Sequence, residues 1–420
     1  MEELPRRLEP ITQDALSNFR VVVITGPRQA GKTTLVRRTL RGASTLARLD
    51  QESTLRAALE DPTGFAAFGD TPRAFDEVQR AGEPLIRAIK SVVDDDPSRG
   101  QFLLNGSADF LTVPTISESL AGRAAFLELW PFSQGELHGA PDGFLETAFA
   151  DPDVLLAGES SGLGMVDYLD RICLGGFPEA SAMEPRARRM WFRDYIRTVT
   201  QRDIKYFSDA RQVLELPRLL ALVAARTAGE LVVANLHRSI GFGSRNTTET
   251  YLGYLQMTYL VSLIPAWSRN LSSKIIRRPK MHITDSGLAA FLLGKSPESL
   301  VRPTDPVRGQ LLESFVVNEL HRQITWLDED VRLYHLRERG GPEIDIVAEA
   351  VDGRFIAIEV KSSPQVDRHD ARHLEWLMNQ VSDDFVCGIV LHTGERAYRL
   401  GDRLLALPIS YLWTTERSQV

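Results

Sequence analysis

Short apolar runs alternate with helical patterns from the N-terminus to about residue 138. The runs that we predict as strands are VVVITG (21–26), TLARLD (45–50), QFLLNG (101–106) and AAFLELW (124–130). Strand-like runs that alternate with helical segments are typical of a mainly parallel sheet covered by helices on both faces. The pattern therefore predicts a three-layer α/β domain over residues 1–138.

The rest of the chain divides into segments of different pattern. A segment rich in Gly, Pro and acidic residues over 139–164 predicts a surface insertion with one short helix. Helical periodicity then continues to about residue 293 and is interrupted by a hairpin-like stretch near 260–284. A Pro-bearing linker over 296–309 leads to a second α/β unit over 310–420.

The composition is that of an ordinary globular protein. The 420 residues carry a formal net charge of −7, with 43% hydrophobic and 25% charged residues, which disfavours a disordered chain. No apolar run approaches the roughly 20 residues that span a bilayer. The N-terminus lacks the apolar core of a signal peptide, and Cys173 and Cys387 lie far apart. We therefore expect a soluble protein in the cytoplasm, without a membrane partner.

A phosphate-binding motif follows the first predicted strand. The segment from Gly26 to Thr33, GPRQAGKT, is a complete G-x-x-x-x-G-K-[ST] pattern between a strand and a helix. The glycines let backbone N–H groups point at phosphate oxygens, Lys32 reaches the β- and γ-phosphates, and the Thr33 hydroxyl ligates Mg²⁺. The pattern predicts ATP and Mg²⁺ as cofactors. The residues expected to contact ATP are Gly26, Pro27, Arg28, Gln29, Ala30, Gly31, Lys32, Thr33 and Thr34.

Polar residues at two further positions suit ATP hydrolysis. Asp76 is expected to bind Mg²⁺ and Glu77 to orient or deprotonate the attacking water, although a solvated acidic helix start is the alternative. The strand QFLLNGS brings Asn105 and Ser107 to the edge where a residue that senses the γ-phosphate belongs.

An arginine finger from a neighbouring subunit is a further expectation. Arg123, in the loop before the strand AAFLELW, is the first candidate, and Arg202 is a weaker one. Such an arginine stabilises the charge of the transferring phosphoryl group, whereas an ordinary surface arginine is only solvated. Charge alone leaves both interpretations open.

The middle of the chain contains the parts of a winged helix-turn-helix. Three helical patterns (ELPRLLALVAARTAG, VANLHRSIG and SRNTTETYLGYLQMTYLV) precede two β-type runs, LVSLIPAW and IIRRPKMHIT. Between residues 237 and 282, seven Lys or Arg residues accompany a single acid, Glu249, as expected for phosphate-backbone contact. The alternative is that the hairpin formed by these two β-type runs packs on acidic surfaces of the same protein. The predicted DNA contacts are Arg245, Arg269, Lys274, Arg277, Arg278 and Lys280.

The last unit carries a second chemical pattern. Asp345 in PEIDIVAE and Glu359 and Lys361 in FIAIEVKSS lie on neighbouring β-type runs, with the last two side chains on one face. Glu313 falls on the apolar stripe of the helix GQLLESFVVNELHRQI. Three carboxylates and a lysine suit phosphodiester hydrolysis with Mg²⁺ bound by Glu313, Asp345 and Glu359. A structural ion-pair cluster is the alternative.

Taken together, these motifs resemble a known family. The segments GPRQAGKTTL, FDEVQRA, LLNGSADFL, SLAGRAAFLELWPFSQGEL, GGFPEA, YLGYLQMTYLV, PKMHITDSGLAAFLLG and GQLLESFVVNEL…EIDIV…IEVKSS are similar to those of prokaryotic ATP-binding proteins of the AAA_14/DUF4143 architecture. The resemblance runs over nearly the whole chain. Two departures are the weakly apolar strand before Asp76 and the 139–164 segment.

Taken with the patterns above, which supply the insertion and the linker, the resemblance implies an α/β multidomain protein with six parts. These are a P-loop AAA+ ATPase core of three α/β/α layers (1–138), a surface insertion (139–164), a helical lid (165–212), a winged helix-turn-helix (213–295), a linker (296–309) and a PD-(D/E)XK domain similar in core to Holliday-junction resolvases (310–420). It implies Walker A at Gly26, Gly31, Lys32 and Thr33, Walker B at Asp76 and Glu77, sensor 1 at Asn105 or Ser107, and the nuclease-like signature at Glu313, Asp345, Glu359 and Lys361.

We therefore predict an ATP-hydrolysing motor that acts on duplex or branched DNA, in association with the nucleoid. A hexameric ring is an expectation from the AAA+ resemblance, and remodelling, translocation or branch migration, as in DNA repair, would be its output. Two alternatives belong to other classes. One is an ATP-controlled, Mg²⁺-dependent nuclease of defence or repair, and the other is a STAND-like or antitoxin-like switch that acts on an unidentified protein partner.

Overall fold

The computed structural model describes residues 3–40, 46–106, 120–203, 215–268, 278–338, 340–381 and 383–417. They form two compact units: the described chain up to Phe132 together with Met257–Tyr259, and the remainder from Ser133. The predicted α/β multidomain fold is confirmed, with a parallel sheet in the first unit and a mixed sheet in the second. Within the described ranges, no helix has the length and apolar character needed to cross a membrane.

A parallel sheet of five strands in the order β2-β3-β4-β1-β5 forms the centre of the first unit. The four apolar runs named above are strands of this sheet, as predicted. The remaining strand, β3, contains few apolar residues. It lies between β2 and β4, which hydrogen-bond to it on both sides. The strands are β1 (Val21–Thr25), β2 (Leu46–Arg48), β3 (Arg73–Asp76), β4 (Phe102–Asn105) and β5 (Ala124–Glu128).

Helices cover both faces of this sheet. Successive side chains of β1 point to opposite faces, so Val22 and Ile24 pack with Leu35 of one helix layer, whereas Val21 and Val23 pack with Ile86 of the other. The three-layer prediction is therefore confirmed. The helices are α1 (Leu8–Asn18), α2 (Lys32–Leu40), α3 (Glu52–Glu60), α4 (Pro62–Ala67) and α5 (Gly82–Asp95), with a 3₁₀ turn at Val78–Arg80.

The segment 139–164, expected at the surface, requires a correction. Phe144, Leu145 and Ala148 are fully buried in the main hydrophobic core of the second unit. The Gly, Pro and acidic residues that suggested a surface loop flank the short helix FLETAFA, whose apolar residues at helical spacing need burial. Helices of this part are α6 (Gln134–His138), α7 (Phe144–Ala150), α8 (Met165–Leu174), α9 (Pro178–Ser181) and α10 (Pro185–Thr198), with a 3₁₀ turn at Pro152–Ala157 and a π-helical turn at Val199–Asp203.

Three helices and a small antiparallel sheet follow, which are the parts predicted for a winged helix. The sheet order is β6-β8-β7. Residues 269–277, between β7 and β8, lie outside the described residues. The elements are α11 (Leu216–Ala224), β6 (Gly229–Glu230), α12 (Val233–Ile240), α13 (Arg245–Met257), β7 (Val261–Ile264), β8 (Lys280–Ile283), α14 (Ser286–Leu292) and α15 (Pro297–Leu300).

A mixed six-stranded sheet in the order β13-β14-β12-β11-β10-β9 ends the chain. Phe315 of the long helix α16 packs with Ile346 and Ile356 on one face, and Leu374 of α17 packs with Val347 on the other. The elements are α16 (Arg308–Gln323), β9 (Val331–Arg337), β10 (Glu343–Ala350), β11 (Phe355–Val360), α17 (Arg372–Gln380), β12 (Phe385–His392), β13 (Tyr398–Gly401), β14 (Leu404–Pro408) and α18 (Tyr411–Thr414).

Candidate functional site

The phosphate-binding loop connects β1 to α2 and surrounds its own lysine. Gly26 has φ +140°, and a Cβ there would lie 2.1 Å from the carbonyl oxygen of Leu129, so glycine is required. Lys32 is buried, and its Nζ donates hydrogen bonds to the carbonyl oxygens of Gly26 (2.9 Å) and Pro27 (2.8 Å). The loop therefore presents its backbone and an ammonium group together, as phosphate binding requires.

The predicted Mg²⁺ ligands meet at this loop. Thr33 Oγ1 donates a hydrogen bond to Asp76 Oδ2 at 3.0 Å, and Oδ1 of this buried carboxylate has no hydrogen-bond partner among the described residues. Burial raises the pKa of Asp76, whereas the hydrogen bond from Thr33 lowers it. A hydroxyl beside an unsatisfied carboxylate oxygen suits a hard cation that prefers oxygen ligands. The residues present therefore fit Mg²⁺ bound with a nucleotide.

The next two predicted residues lie beside Asp76. Because β3 and β4 are parallel neighbours, Glu77 and Asn105 reach the same edge of the sheet. The Glu77 N–H donates to Asn105 Oδ1 at 3.3 Å, and Gln79 Nε2 donates to Glu77 Oε2 at 2.6 Å. Glu77 has φ +57°, an unfavourable conformation for a residue with a Cβ. Ser107 lies outside the described residues.

The structure adds Arg6, which the sequence did not indicate. Its buried guanidinium donates to the carbonyl oxygens of Ala30 (2.7 Å) and Trp130 (2.5 Å) and lies 4.6 Å from the Phe132 ring centroid. Arg6 therefore holds the phosphate-binding loop against the segment after β5. An arginine outside any motif carries no local signal of such a role.

A second residue that we did not predict is Tyr259. Its hydroxyl donates to Thr25 Oγ1 (3.2 Å) and Glu128 Oε1 (3.3 Å), at the carboxyl ends of β1 and β5. Burial and the nearby Glu128 carboxylate raise the pKa of Tyr259, so its hydroxyl remains a donor. Tyr259 thus supports the strand end from which the phosphate-binding loop departs.

Arg123 lies at the opposite edge of the sheet from the phosphate-binding loop of the same chain. Its carbonyl oxygen accepts a hydrogen bond from Val21, at the start of β1. The guanidinium binds both carboxylate oxygens of Asp94, at 2.5 and 3.1 Å. A role towards a neighbouring subunit stays a prediction, and the side chain of Arg202 lies outside the described ones.

In the second unit, the four residues of the nuclease-like pattern lie close together. Lys361 Nζ donates to Glu359 Oε2 at 2.8 Å, as their common face predicted. The N–H of Val360 donates to Asp345 Oδ2 at 3.0 Å. A β-bulge between Ile344 and Val347 redirects the Asp345 side chain out of the regular alternation.

Lys280 requires a correction, because it belongs to this cluster and not to an exposed wing. Its side chain is 2% exposed. Its Nζ lies 2.7 Å from Glu313 Oε1, 3.3 Å from Asp345 Oδ1 and 3.5 Å from Glu343 Oε1. Burial disfavours the ammonium, but Glu313 and Asp345 outweigh that effect and raise the pKa of Lys280. A side chain so enclosed cannot reach a DNA phosphate.

Burial also acts on the carboxylates of the cluster. Together with repulsion from Asp345, it raises the pKa of Glu313 to about 8, although Lys280 acts in the opposite direction. The same two causes raise the pKa of Glu359 to about 8, opposed by Lys361. The environment therefore disfavours ionisation of all three carboxyl groups at once, and the two lysines offset part of that effect.

The remaining predicted DNA contacts are only partly described. Arg278 is exposed, and Arg245 forms an i,i+4 ion pair with Glu249 at 3.1 Å. Arg238, on α12, is also exposed. Three predicted contacts lie outside the described residues: Arg269, Lys274 and Arg277.

Comparisons with known protein families match three parts of the chain. An AAA domain model, AAA_14, matches residues 18–138, and two domains of unknown function, DUF8612 and DUF4143, match residues 165–299 and 308–412. The resemblance to the AAA_14/DUF4143 architecture is thereby confirmed, and the chain is of the P-loop ATPase type. The nuclease-like part of the prediction gains no support from these matches.

Relatives in sequence and structure are distant. Uncharacterized proteins of Mycobacterium tuberculosis and Mycobacterium bovis are each 28% identical over 410 residues, which cover 96% of this chain and 82% of theirs. A Walker-type ATPase of Pyrococcus abyssi is similar with a TM-score of 0.42 and 13% identity, over 70% of this chain and 96% of that one. A STAND protein of Pyrococcus horikoshii with a tetratricopeptide repeat sensor has a TM-score of 0.25 and 12% identity, over 76% and 46% of the two chains.

Proposed function

We propose that this protein hydrolyses ATP and uses the energy to remodel duplex or branched DNA. The hydrogen bond between Thr33 and Asp76, beside the buried Lys32, carries the ATPase part of this proposal. It brings the end of the phosphate-binding loop to the carboxylate at the end of β3, which is the arrangement needed for a phosphate and its metal ion.

Each residue at the edge of the first sheet has a role in the proposed reaction. Lys32 and the loop N–H groups bind the β- and γ-phosphates, and Thr33 and Asp76 would hold Mg²⁺, which neutralises phosphate charge when bound. Glu77 orients the attacking water and accepts its proton. Asn105 holds the backbone of Glu77 through the 3.3 Å hydrogen bond, so its expected effect is on water positioning.

The DNA part of the proposal is supported by exposed arginines on the three helices and the hairpin. Arg238 and Arg278 are exposed, and Arg245 lies at the first residue of α13, with its side chain extended along the helix surface to Glu249. Exposed guanidinium groups bind backbone phosphates without sequence preference. We further propose a homo-oligomeric ring, in which Arg123 of one subunit completes the ATP site of the next.

Steady-state ATP hydrolysis tests this function. Rates are measured without DNA and with single-stranded, duplex and four-way-junction DNA, with Lys32→Ala as the blank, and the DNA from the same tubes is examined on gels. Stimulation by duplex or branched DNA that stays intact supports the motor. Hydrolysis that is indifferent to every DNA contradicts it and favours a switch with a protein partner.

A charge-reversal pair separates DNA contact from general effects. Arg278→Glu is expected to weaken the stimulation of ATP hydrolysis by DNA. It should also reduce the salt dependence of DNA binding, because a protein with one phosphate contact fewer releases fewer counterions when it binds. Arg302→Glu, at an exposed position in the 296–309 segment, is the matched control and should change neither. Equal effects of the two variants would show that only net charge matters.

A further inference from the structure

The carboxylate cluster of the second unit contains a cation that is part of the chain itself. Two of the three predicted metal ligands, Glu313 and Asp345, both contact Lys280 Nζ, at 2.7 and 3.3 Å. The third, Glu359, is engaged by Lys361 at 2.8 Å. The three carboxylates are therefore paired with two lysines. Glu359 Oε1 is buried without a hydrogen bond in the described part of the chain and lies 3.9 Å from His373 Nδ1.

A metal ion does not fit this arrangement. Mg²⁺ needs carboxylate oxygens at about 2.0–2.1 Å in near-octahedral geometry. The space between Glu313 and Asp345 is the position of the Lys280 ammonium, which would repel a divalent cation at such close range. Among the described residues, no group of three or more His, Cys, Asp or Glu side chains is placed to hold a metal ion.

Burial of the side chain and pairing of the strand hold Lys280 in this position. Lys280 begins β8, where it pairs with Ile264 of β7 on one side and with Glu230 of β6 on the other. Its side chain is 2% exposed, whereas that of Lys361 is 33% exposed. Lys361 can turn towards solvent, whereas the side chains that enclose Lys280 would have to move before its ammonium could leave the cluster.

Hydrogen bonds also fix the chain on both sides of Lys280. The neighbouring His282 directs Nδ1 at Ser314 Oγ (3.0 Å), next to Glu313 on α16. Strand β9 contributes His335, whose Nε2 donates to the Arg278 carbonyl oxygen at 3.0 Å, two residues before Lys280. Both flanks of Lys280 are thus tied by hydrogen bonds to elements that carry the carboxylates or lie next to them.

We propose that Lys280 is the resident cation of this cluster, that it takes the place a divalent metal ion has in metal-dependent nucleases, and that the C-terminal domain therefore does not cleave DNA by metal-ion chemistry. The cluster then joins β8, α16 and β10 into one rigid body. The domain would serve the DNA motor as a binding module whose cutting site is closed by the chain itself.

Cation binding in the absence of nucleotide tests the proposal, with Mn²⁺ as the probe and isothermal titration calorimetry of the full chain as the measurement. Asp76→Asn is present in every protein, so that the ATP site does not contribute. Lys280→Met is expected to bind Mn²⁺ at least tenfold more tightly than the protein that retains Lys280, because Glu313 and Asp345 lose their counter-ion. The added substitution Asp345→Asn should abolish that gain.

The matched control is Lys361→Met, which removes the more exposed lysine and leaves Lys280 in place. This variant is expected to gain no Mn²⁺ site. A gain of affinity in Lys361→Met but not in a folded Lys280→Met would overturn the proposal.

The protein with Lys280 intact supplies a test that does not depend on folding of Lys280→Met. If the proposal is correct, the protein with Lys280 intact binds Mn²⁺ weakly, and Glu313→Gln does not change its affinity for Mn²⁺. Mn²⁺ binding that disappears in Glu313→Gln would place a metal ion together with Lys280 and would contradict the proposal directly.

Discussion

The Thr33 hydroxyl donates a 3.0 Å hydrogen bond to Asp76 and so joins the helix after the phosphate-binding loop to the end of β3. Thr33→Val keeps the side-chain shape but removes both this donor and an expected Mg²⁺ ligand. We expect ATP hydrolysis to fall by at least about tenfold, with a higher Mg²⁺ requirement. Thr39→Val is the control, because among the described residues the hydrogen bond of Thr39 Oγ1 goes to the Leu35 carbonyl oxygen of the same helix. Equal rates for Thr33→Val and wild type would remove Thr33 from the site.

Glu77 should affect the chemical step and not nucleotide binding. Glu77→Gln keeps the size of the side chain but cannot accept a proton, so we expect hydrolysis to fall by roughly 10²–10⁴-fold. ATP affinity, measured with a fluorescent analogue, should change little. A parallel loss of affinity and rate would indicate instead that the Glu77 carboxylate shapes the site through its hydrogen bond from Gln79.

Arg6 is expected to support the ATP site from outside the motif. Arg6→Ala leaves the buried carbonyl oxygens of Ala30 and Trp130 without this donor, which should cost about 1–3 kcal/mol of the free energy of unfolding and weaken ATP binding. The control is Arg38→Ala, which breaks the surface pair with Glu9 and should cost about 0–1 kcal/mol. Chemical denaturation and ATP titration measure the two effects. Unchanged ATP affinity in Arg6→Ala would limit Arg6 to a structural role.

Subunit mixing tests the proposed role of Arg123 in trans. Arg123→Ala should bind ATP but hydrolyse it slowly, since the finger for the neighbouring site is missing. Adding Lys32→Ala subunits, which are inactive alone but carry Arg123, should restore hydrolysis at the intact loops of the Arg123→Ala subunits. Asp94→Asn removes the ion pair with Arg123 but keeps Arg123 itself, so the rate of ATP hydrolysis should stay near that of wild type. No recovery on mixing would contradict the trans arrangement.

The buried His335 makes the free energy of unfolding depend on pH below neutrality. Burial and the neighbouring cations Lys280 and Arg337 lower the pKa of His335 to about 4, although its hydrogen bond to Arg278 opposes this shift. The folded state therefore favours the neutral ring: its contribution to stability is complete above the unfolded pKa near 6.5 and is lost as the pH falls towards 4. His335→Gln should lose less unfolding free energy than wild type between pH 7.5 and 5, measured by urea denaturation. Identical losses would contradict this assignment.

Short motifs predicted most of the residues that the structure brings together at the phosphate-binding loop. The segment from Gly26 to Thr33 contains its own geometry, because the strand before it, the glycines and the helix after it are contiguous in the chain. Asp76, Glu77 and Asn105 followed from the rule that neighbouring parallel strands end at one edge. Arg6 and Tyr259 could not be predicted, since their partners are backbone and strand-end atoms that carry no pattern at these two positions.

The amino-acid sequence by itself determined four strands of the first sheet, strands β10 and β11 of the last one, the phosphate-binding loop and the proximity of Asp345, Glu359 and Lys361. These features depend on local periodicity and on neighbouring strands. Only the tertiary structure decided the environment of Lys280. The strand KMHI alternates in sequence, which predicts an exposed face, yet all four residues are buried. Helix α16 covers that second face and brings Glu313 to Lys280. The same lysine is a DNA contact if its face is open and a buried counter-ion if it is covered, and only long-range packing distinguishes the two.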